Sequence, residues 1–152
     1  MFNFYSTAGL IFGNETSLNS CRQIIDTLGK NIFVITDKGL TELGLIEPTI
    51  KKLKKNCNIK IFNDVESDPS KKTLLNAFSD AREFESTGVL GFGGGSSMDV
   101  AKLVSLLLGS NQQIETIWGV NNAKGPRLPL VLIPTTAGTG SEVTPCLLYT
   151  SP

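Results

Sequence analysis

Apolar and polar positions fall into short alternating blocks along the chain. Asn31-Ile32-Phe33-Val34-Ile35-Thr36 is a continuous apolar run rich in β-branched side chains, as expected of a strand buried on both faces. Ile59-Lys60-Ile61-Phe62, Thr87-Gly88-Val89-Leu90-Gly91-Phe92 and Pro129-Leu130-Val131-Leu132-Ile133-Pro134 predict three more strands. Between them the spacing changes to that of helices. Leu18, Cys21, Ile25 and Leu28 mark one over residues 17–28, stopped by Gly29. Ile46, Ile50 and Leu53 mark a second, whose outer face carries Lys51, Lys52, Lys54 and Lys55 as a solvated surface. Asp68-Pro69-Ser70 is a turn feeding a helix over residues 71–85, with Leu74, Leu75, Phe78 and Ala81 inward. Residues 97–108 predict a strongly apolar helix ended by Gly109. Residues 112–127 lack periodicity and are expected to connect. At the start, Phe2-Asn3-Phe4-Tyr5 and Leu10-Ile11-Phe12-Gly13 predict two short strands around a Thr7-Ala8-Gly9 turn. Strand and helix alternating at such intervals predict an α/β fold, a parallel sheet covered by helices on both faces.

Composition narrows what such a fold can do. The 152 residues suffice for about one domain, and 40% hydrophobic residues allow a sizeable core. Fourteen Lys+Arg balance 14 Asp+Glu, which argues against a nucleic-acid partner. There is no His, which removes Ser-His-Asp triads, His general bases and every His-ligated metal site. Cys21, Cys57 and Cys146 are scattered, with no CxxC pair, so a reducing cytoplasm is expected. No charge-free stretch reaches the roughly 18 apolar residues of a membrane span. The N-terminus has no Lys or Arg ahead of its apolar residues, so no secretory signal is expected.

The chemistry concentrates in two loops. Gly93-Gly94-Gly95-Ser96-Ser97-Met98-Asp99 joins an apolar strand to an apolar helix. Glycines there allow close backbone approach and positive φ, and free N–H groups at a helix start favour an anion such as a pyrophosphate. The Ser96 hydroxyl can add a hydrogen bond, and Asp99 can hold loop amides or reach the ligand. The G-x-G-x-x-G fingerprint fails at Ser96, and no P-loop string exists. A strand-to-helix turn without a ligand is the competing explanation. Thr135-Thr136-Ala137-Gly138-Thr139-Gly140-Ser141-Glu142-Val143-Thr144 follows the last strand. Two such loops after parallel strands would share the carboxyl edge of one sheet, where nucleotides bind in open α/β folds. Ser141 lacks a G-x-S-x-G frame and a His, so it is not a nucleophile. Asp37 follows a strand, where an acidic side chain can accept from a ribose and repel a 2′-phosphate, or simply make a turn.

The stretch from Gly93 to Lys102 resembles the GGGSxxDxAK signature of iron-containing (group III) alcohol dehydrogenases. Pro134-Thr135-Thr136-Ala137-Gly138-Thr139-Gly140-Ser141-Glu142-Val143-Thr144 is similar to that family's second signature, and Thr36-Asp37-Lys38-Gly39-Leu40, Phe12-Gly13 and Asp68-Pro69 fit in the same order. The resemblance runs to about Pro145. It implies a Rossmann-like, dehydroquinate-synthase-like N-terminal domain over residues 1–145 that binds NAD. Asp37 would face the adenosine ribose. Gly94, Gly95, Ser96 and Asp99 would form the pyrophosphate loop, and Thr135, Thr136 and Thr144 would line the path toward the nicotinamide. In full-length members a helical C-terminal domain supplies an Asp and three His for Fe²⁺, which acts on an alcohol or aldehyde substrate; that domain is expected to be absent from these 152 residues, so iron is expected only in the full-length protein. Full-length members often dimerise through N-terminal strands, which makes residues 2–12 the candidate homodimer edge. Asp68 stands where members often have Asn, Cys146 where an aromatic is common, and residues 146–152 do not continue the pattern.

The chain is therefore expected to be the NAD-binding fragment of such an enzyme. The rival expectations are a stand-alone nucleotide-binding module, or a relative of glycerol dehydrogenase or dehydroquinate synthase; Ser96 and Lys102 disfavour the last. Without His and without chelating Cys spacing, the 152-residue chain should hold no stoichiometric iron or zinc and should form no NADH from short alcohols. Metal analysis and a spectrophotometric assay with added Fe²⁺ or Zn²⁺ check this; bound metal with metal-dependent NADH formation would refute it.

Overall fold

The computed structural model describes residues 9–117 and 125–143. The chain forms α1 (Thr16–Asn19), α2 (Cys21–Leu28), β1 (Asn31–Ile35), α3 (Lys38–Glu42), α4 (Glu47–Leu53), β2 (Asn58–Phe62), α5 (Lys71–Glu83), β3 (Gly88–Gly93), α6 (Gly95–Ser110), a 3₁₀ turn at Ile114–Thr116 and β4 (Leu130–Pro134). The four strands form a parallel sheet in the order β2-β1-β3-β4.

The pleat of β1 explains how both faces are filled. Phe33 and Ile35 join the cluster made with α5 and α6, whereas Ile32 and Val34 join the cluster made with α2 and α4. Successive side chains of a strand point to opposite faces, so an unbroken apolar run serves two layers at once. β3 repeats this with Val89 on the first face and Leu90 and Phe92 on the second. In α6 every residue from Met98 to Leu107 except Asp99 is buried, including Lys102 and Ser105.

Four sequence expectations change. Residues 17–28 are two helices, because Ser20 departs from helical geometry (φ −92°, ψ 10°). A short helix, α3, lies where only a turn was expected, its start capped by Asp37 Oδ1, which accepts from the Leu40 amide at 2.9 Å. Gly109 does not end α6; the helix runs to Ser110 and stops at left-handed Asn111. At Gly109 a Cβ would lie 2.6 Å from the Arg127 carbonyl carbon, so glycine there admits the crossing of residues 127–128. Leu10, Ile11 and Phe12 lie outside any strand and are exposed, because among the described residues no strand edge pairs with them. Residues 2–5 lie outside the described residues. No described helix is long and apolar enough to cross a membrane.

β3 and α6 meet at Gly91, where a Cβ would lie 2.7 Å from Leu132 Cδ2 and 2.8 Å from Ala101 Cβ. Gly91→Ala should therefore cost about 1–3 kcal/mol by overpacking and lower the thermal midpoint by about 2–12 °C. Calorimetry of both proteins checks it, and an unchanged midpoint would mean that α6 is not seated on β3 as described.

Candidate functional site

The chain runs from β1 outward to β2, then returns across β1 to β3 and continues to β4. The strand order thus reverses between β1 and β3, and their carboxyl ends are neighbours. Helical connections leave in opposite directions at such a point and open a crevice between them. Asp37, at the end of β1, and Gly93–Gly95, at the end of β3, flank this crevice.

The first loop is built for close approach. α6 begins at Gly95 with Gly94 as its N-cap, and no side chain caps it. The first N–H groups of such a helix have no intrahelical partner and carry the positive end of its dipole. Gly94 has ordinary extended geometry (φ −79°), and Gly95 is not among the positive-φ residues. The glycines at 94 and 95 therefore serve by lacking a side chain rather than by taking left-handed geometry, which corrects that part of the expectation. A Cβ at Gly94 would sit 3.5 Å from Thr136 Cγ2; one at Gly95 would sit 3.2 Å from Ser141 Oγ and 3.4 Å from Thr139 Cγ2. The space above both glycines is thus bounded by Thr136, Thr139 and Ser141 of the second loop.

The second loop is tied to the first through the backbone. The Thr135 amide donates to the Gly93 carbonyl at 2.9 Å, prolonging the β3–β4 ladder by one bond. Beyond it the loop turns at Gly138 (φ 104°) and Gly140 (φ 65°), conformations that favour glycine. Thr135, Thr136 and Thr139 are exposed, whereas Ser141 is buried beside Gly95. Thr144 lies outside the described residues.

The acidic residues are already engaged. Asp37 Oδ1 caps α3, while Oδ2 faces Gly93, 3.4 Å from where a Cβ on that glycine would be. One oxygen holds the helix and the other is directed to the first loop. Asp99 Oδ1 accepts from Lys102 Nζ at 3.0 Å, one helical turn along, rather than from loop amides. The Lys102 side chain is 4% exposed, so this pairing holds a buried ammonium close behind the helix start. Burying a charge without a partner is costly, so the pairing with Asp99 offsets the burial of the lysine.

Ser96 also acts differently from expectation. Its hydroxyl donates to the Ser67 carbonyl at 2.8 Å. A hydroxyl has one proton, so in this arrangement it cannot donate to an anion as well, and only the Ser96 amide faces that task. The hydroxyl instead moors the first loop to the β2–α5 connection. That connection is braced by Glu66. Its Oε1 accepts from the Ser70 amide at 2.9 Å, and Thr73 Oγ1 lies 2.6 and 2.8 Å from its two oxygens. The Thr73 hydroxyl, ahead of the Ser70 amide, holds the Glu66 carboxyl down to about 2. Ser70 Oγ accepts from the Thr73 amide and caps α5. Sequence inspection missed Glu66; the spacing Glu66-x-x-x-Ser70-x-x-Thr73 around a proline was the available signal.

Two further atoms were not foreseen. Thr36 Oγ1, next to Asp37, and Glu142 Oε2, in the second loop, are buried without a hydrogen-bond partner among the described residues. Buried polar atoms are ordinarily satisfied, so this rim has unused hydrogen-bonding capacity. Together with the uncapped α6 and the bare backbone at Gly94 and Gly95, it fits a phosphorylated, hydroxyl-rich ligand. Among the described residues no three His, Cys, Asp or Glu side chains gather as a metal site.

An open parallel sheet with two glycine loops over its switch point defines the class of nucleotide-binding α/β domains. Within that class, the family model for iron-containing alcohol dehydrogenase matches residues 8–152, and the chain belongs to that family. It is similar to the sulfoacetaldehyde reductase of Bilophila wadsworthia, 31% identical over 94% of this chain and 37% of that protein. The iron-containing alcohol dehydrogenase of Thermotoga maritima superposes with a TM-score of 0.81 at 38% identity, covering 95% of this chain and 41% of that one. The sulfoacetaldehyde reductase of Bifidobacterium kashiwanohense, solved in complex with NAD⁺, superposes with a TM-score of 0.79 at 26% identity over 95% and 38%. The chain thus spans about two fifths of the length of these relatives.

Glu66 generates a pH prediction. Its carboxyl is lowered from the ordinary 4.5 to about 2. The stability it contributes is present above 4.5 and is lost as pH falls through about 2. Wild type should therefore exceed Glu66→Gln in urea midpoint at pH 6, and the gap should narrow progressively below pH 4. A gap that is constant down to pH 2 would show that the carboxylate braces nothing.

Proposed function

We propose that this chain is the NAD-binding half of an iron-dependent alcohol dehydrogenase, with residues 1–145 as the dinucleotide domain and residues 146–152 as a tail outside it. The observation that carries this reading is the uncapped start of α6, whose two glycines face the second loop beside the β1/β3 switch point. NAD, when bound, supplies the hydride carrier that interconverts an alcohol and an aldehyde. The main-chain N–H groups of Gly95 and Ser96 would hold the pyrophosphate, with Gly94 leaving room for it. The free oxygen of Asp37 would accept from the adenosine ribose, and its charge would disfavour a 2′-phosphate. Thr135, Thr136 and Thr144 would line the way to the nicotinamide. Asp99 would act from behind the loop, by pairing with the buried Lys102 one helical turn along.

Iron does not fit the residues present. The chain has no His to offer, and the described carboxylates do not cluster. Metal chemistry and the alcohol pocket would belong to a following helical half, and a homodimer would form through the N-terminal segment, where Leu10, Ile11 and Phe12 are exposed. The balanced charge and free thiols of Cys21 and Cys57 suit a reducing cytoplasm.

Gly94→Ala separates binding from folding. The added methyl meets Thr136 only at ordinary contact distance and needs no unusual φ, so stability should change by no more than about 1 kcal/mol, the N-cap cost of alanine. NADH affinity should fall by about tenfold or more, equivalent to about 1.4 kcal/mol. Calorimetric titration and thermal melts on the same preparation check this. Unchanged affinity in the variant, or no NADH binding by wild type, would sink the reading.

A further inference from the structure

Asp37 and Lys38 are neighbours in sequence but face opposite ways. Asp37 Oδ2 is directed to Gly93 of β3, whereas Lys38 Nζ pairs with Asp64 Oδ1 at 2.9 Å, beyond the end of β2. Since β1 lies between β2 and β3, the carboxylate is turned toward the first glycine loop and the ammonium away from it. The Asp64 hydrogen bond and charge, with Glu42 one turn along, push the Lys38 ammonium up. A second contact seats α3 against the same corner: Asn63 Nδ2 donates to Thr41 Oγ1 at 3.2 Å, and Thr41 Oγ1 donates to the Lys38 carbonyl at 2.8 Å. Asp64 is therefore placed, by backbone already fixed to α3, to take the lysine.

We infer that Asp64 is a specificity-determining residue for the dinucleotide: by holding Lys38 toward β2 it withholds the nearest cation from a ribose 2′-phosphate and so reinforces the preference for NAD over NADP. The inference rests on the NAD reading of the site. Its physical basis is that Lys38 is exposed and long, and a released ammonium follows the strongest local anion. With Asp64 present, that anion is Asp64. Without it, the anions left to Lys38 are Glu42, a single charge one turn along α3, and a 2′-phosphate beside Asp37, whose greater charge and several acceptor oxygens make it the stronger partner. Asp37 alone supplies repulsion; Asp64 removes the compensation that the adjacent lysine would otherwise provide. The pair is solvent-exposed, with side-chain exposures of 67% and 61%, so the effect is bounded by the modest strength of surface ion pairs.

The test measures Kd for NADH and NADPH on the 152-residue chain, for wild type, Asp64→Asn, Lys38→Met and the double variant. The NADPH/NADH ratio of Kd should fall about threefold to fivefold in Asp64→Asn, the range a surface pair allows. It should return to the wild-type value in the double variant. Lys38→Met alone should leave the ratio as it is, because the cation is already withheld. An unchanged ratio in Asp64→Asn overturns the inference. So does an equal fall in the double variant, which would mean that loss of the Asp64 charge is the whole effect. Wild type binding neither dinucleotide would instead overturn the NAD reading itself, and the inference with it.

Discussion

The structure depends on one close approach: α6 lies so near β3 that Gly91 has no room for a methyl group between Leu132 and Ala101. That contact sets the depth at which α6 starts. A larger residue would lift the helix from the sheet and carry its first N–H groups away from the crevice. The same economy of side chains continues at Gly94 and Gly95, where the gap opens toward the second loop instead of toward the core. Packing and ligand access are thus consecutive uses of one absence, first inside the sheet and then at its rim.

The rim is held by side chains that look available for binding but are occupied. Ser96 moors the first loop to Ser67, Glu66 braces that connection through Ser70 and Thr73, and Asp37 caps α3 with one of its oxygens. Lys102 is neutralised from behind by Asp99. What is left facing the crevice is mainly backbone N–H, threonine hydroxyls and one carboxylate oxygen. Preorganised main-chain donors cost little to order when a ligand arrives, because the fold has already fixed them. A loop whose hydroxyls and carboxylates are used for bracing therefore gains rigidity while the first N–H groups of α6 keep no side-chain cap.

Membership of the iron-containing alcohol dehydrogenase family coexists here with a chain that covers about two fifths of its relatives. Dinucleotide binding and metal chemistry lie on separate parts of the chemistry, one needing close backbone approach and the other imidazole and carboxylate ligands. Close backbone approach is provided within residues 9–143 by glycine and strand order. The metal chemistry requires imidazole, which this chain does not contain.

Strands β1 and β3 were legible in the sequence because burial on both faces demands apolar runs, the outer strands β2 and β4 as short apolar stretches between turns, and the two glycine loops because no other residue admits such approach. Asp37 was legible as an acidic residue after a strand. The sequence by itself determined these elements, their parallel class and the residues at the two loops. Tertiary structure decided the rest. It broke residues 17–28 at Ser20, made Gly109 a crossing point rather than a terminator, and left Leu10, Ile11 and Phe12 outside the sheet. It also decided what each polar group at the rim does, since a hydroxyl or carboxylate binds whichever partner the fold brings within about 3 Å. For Ser96 that partner was a carbonyl 29 residues away, and for Lys38 a carboxylate on the neighbouring strand's exit; local spacing carries no record of either.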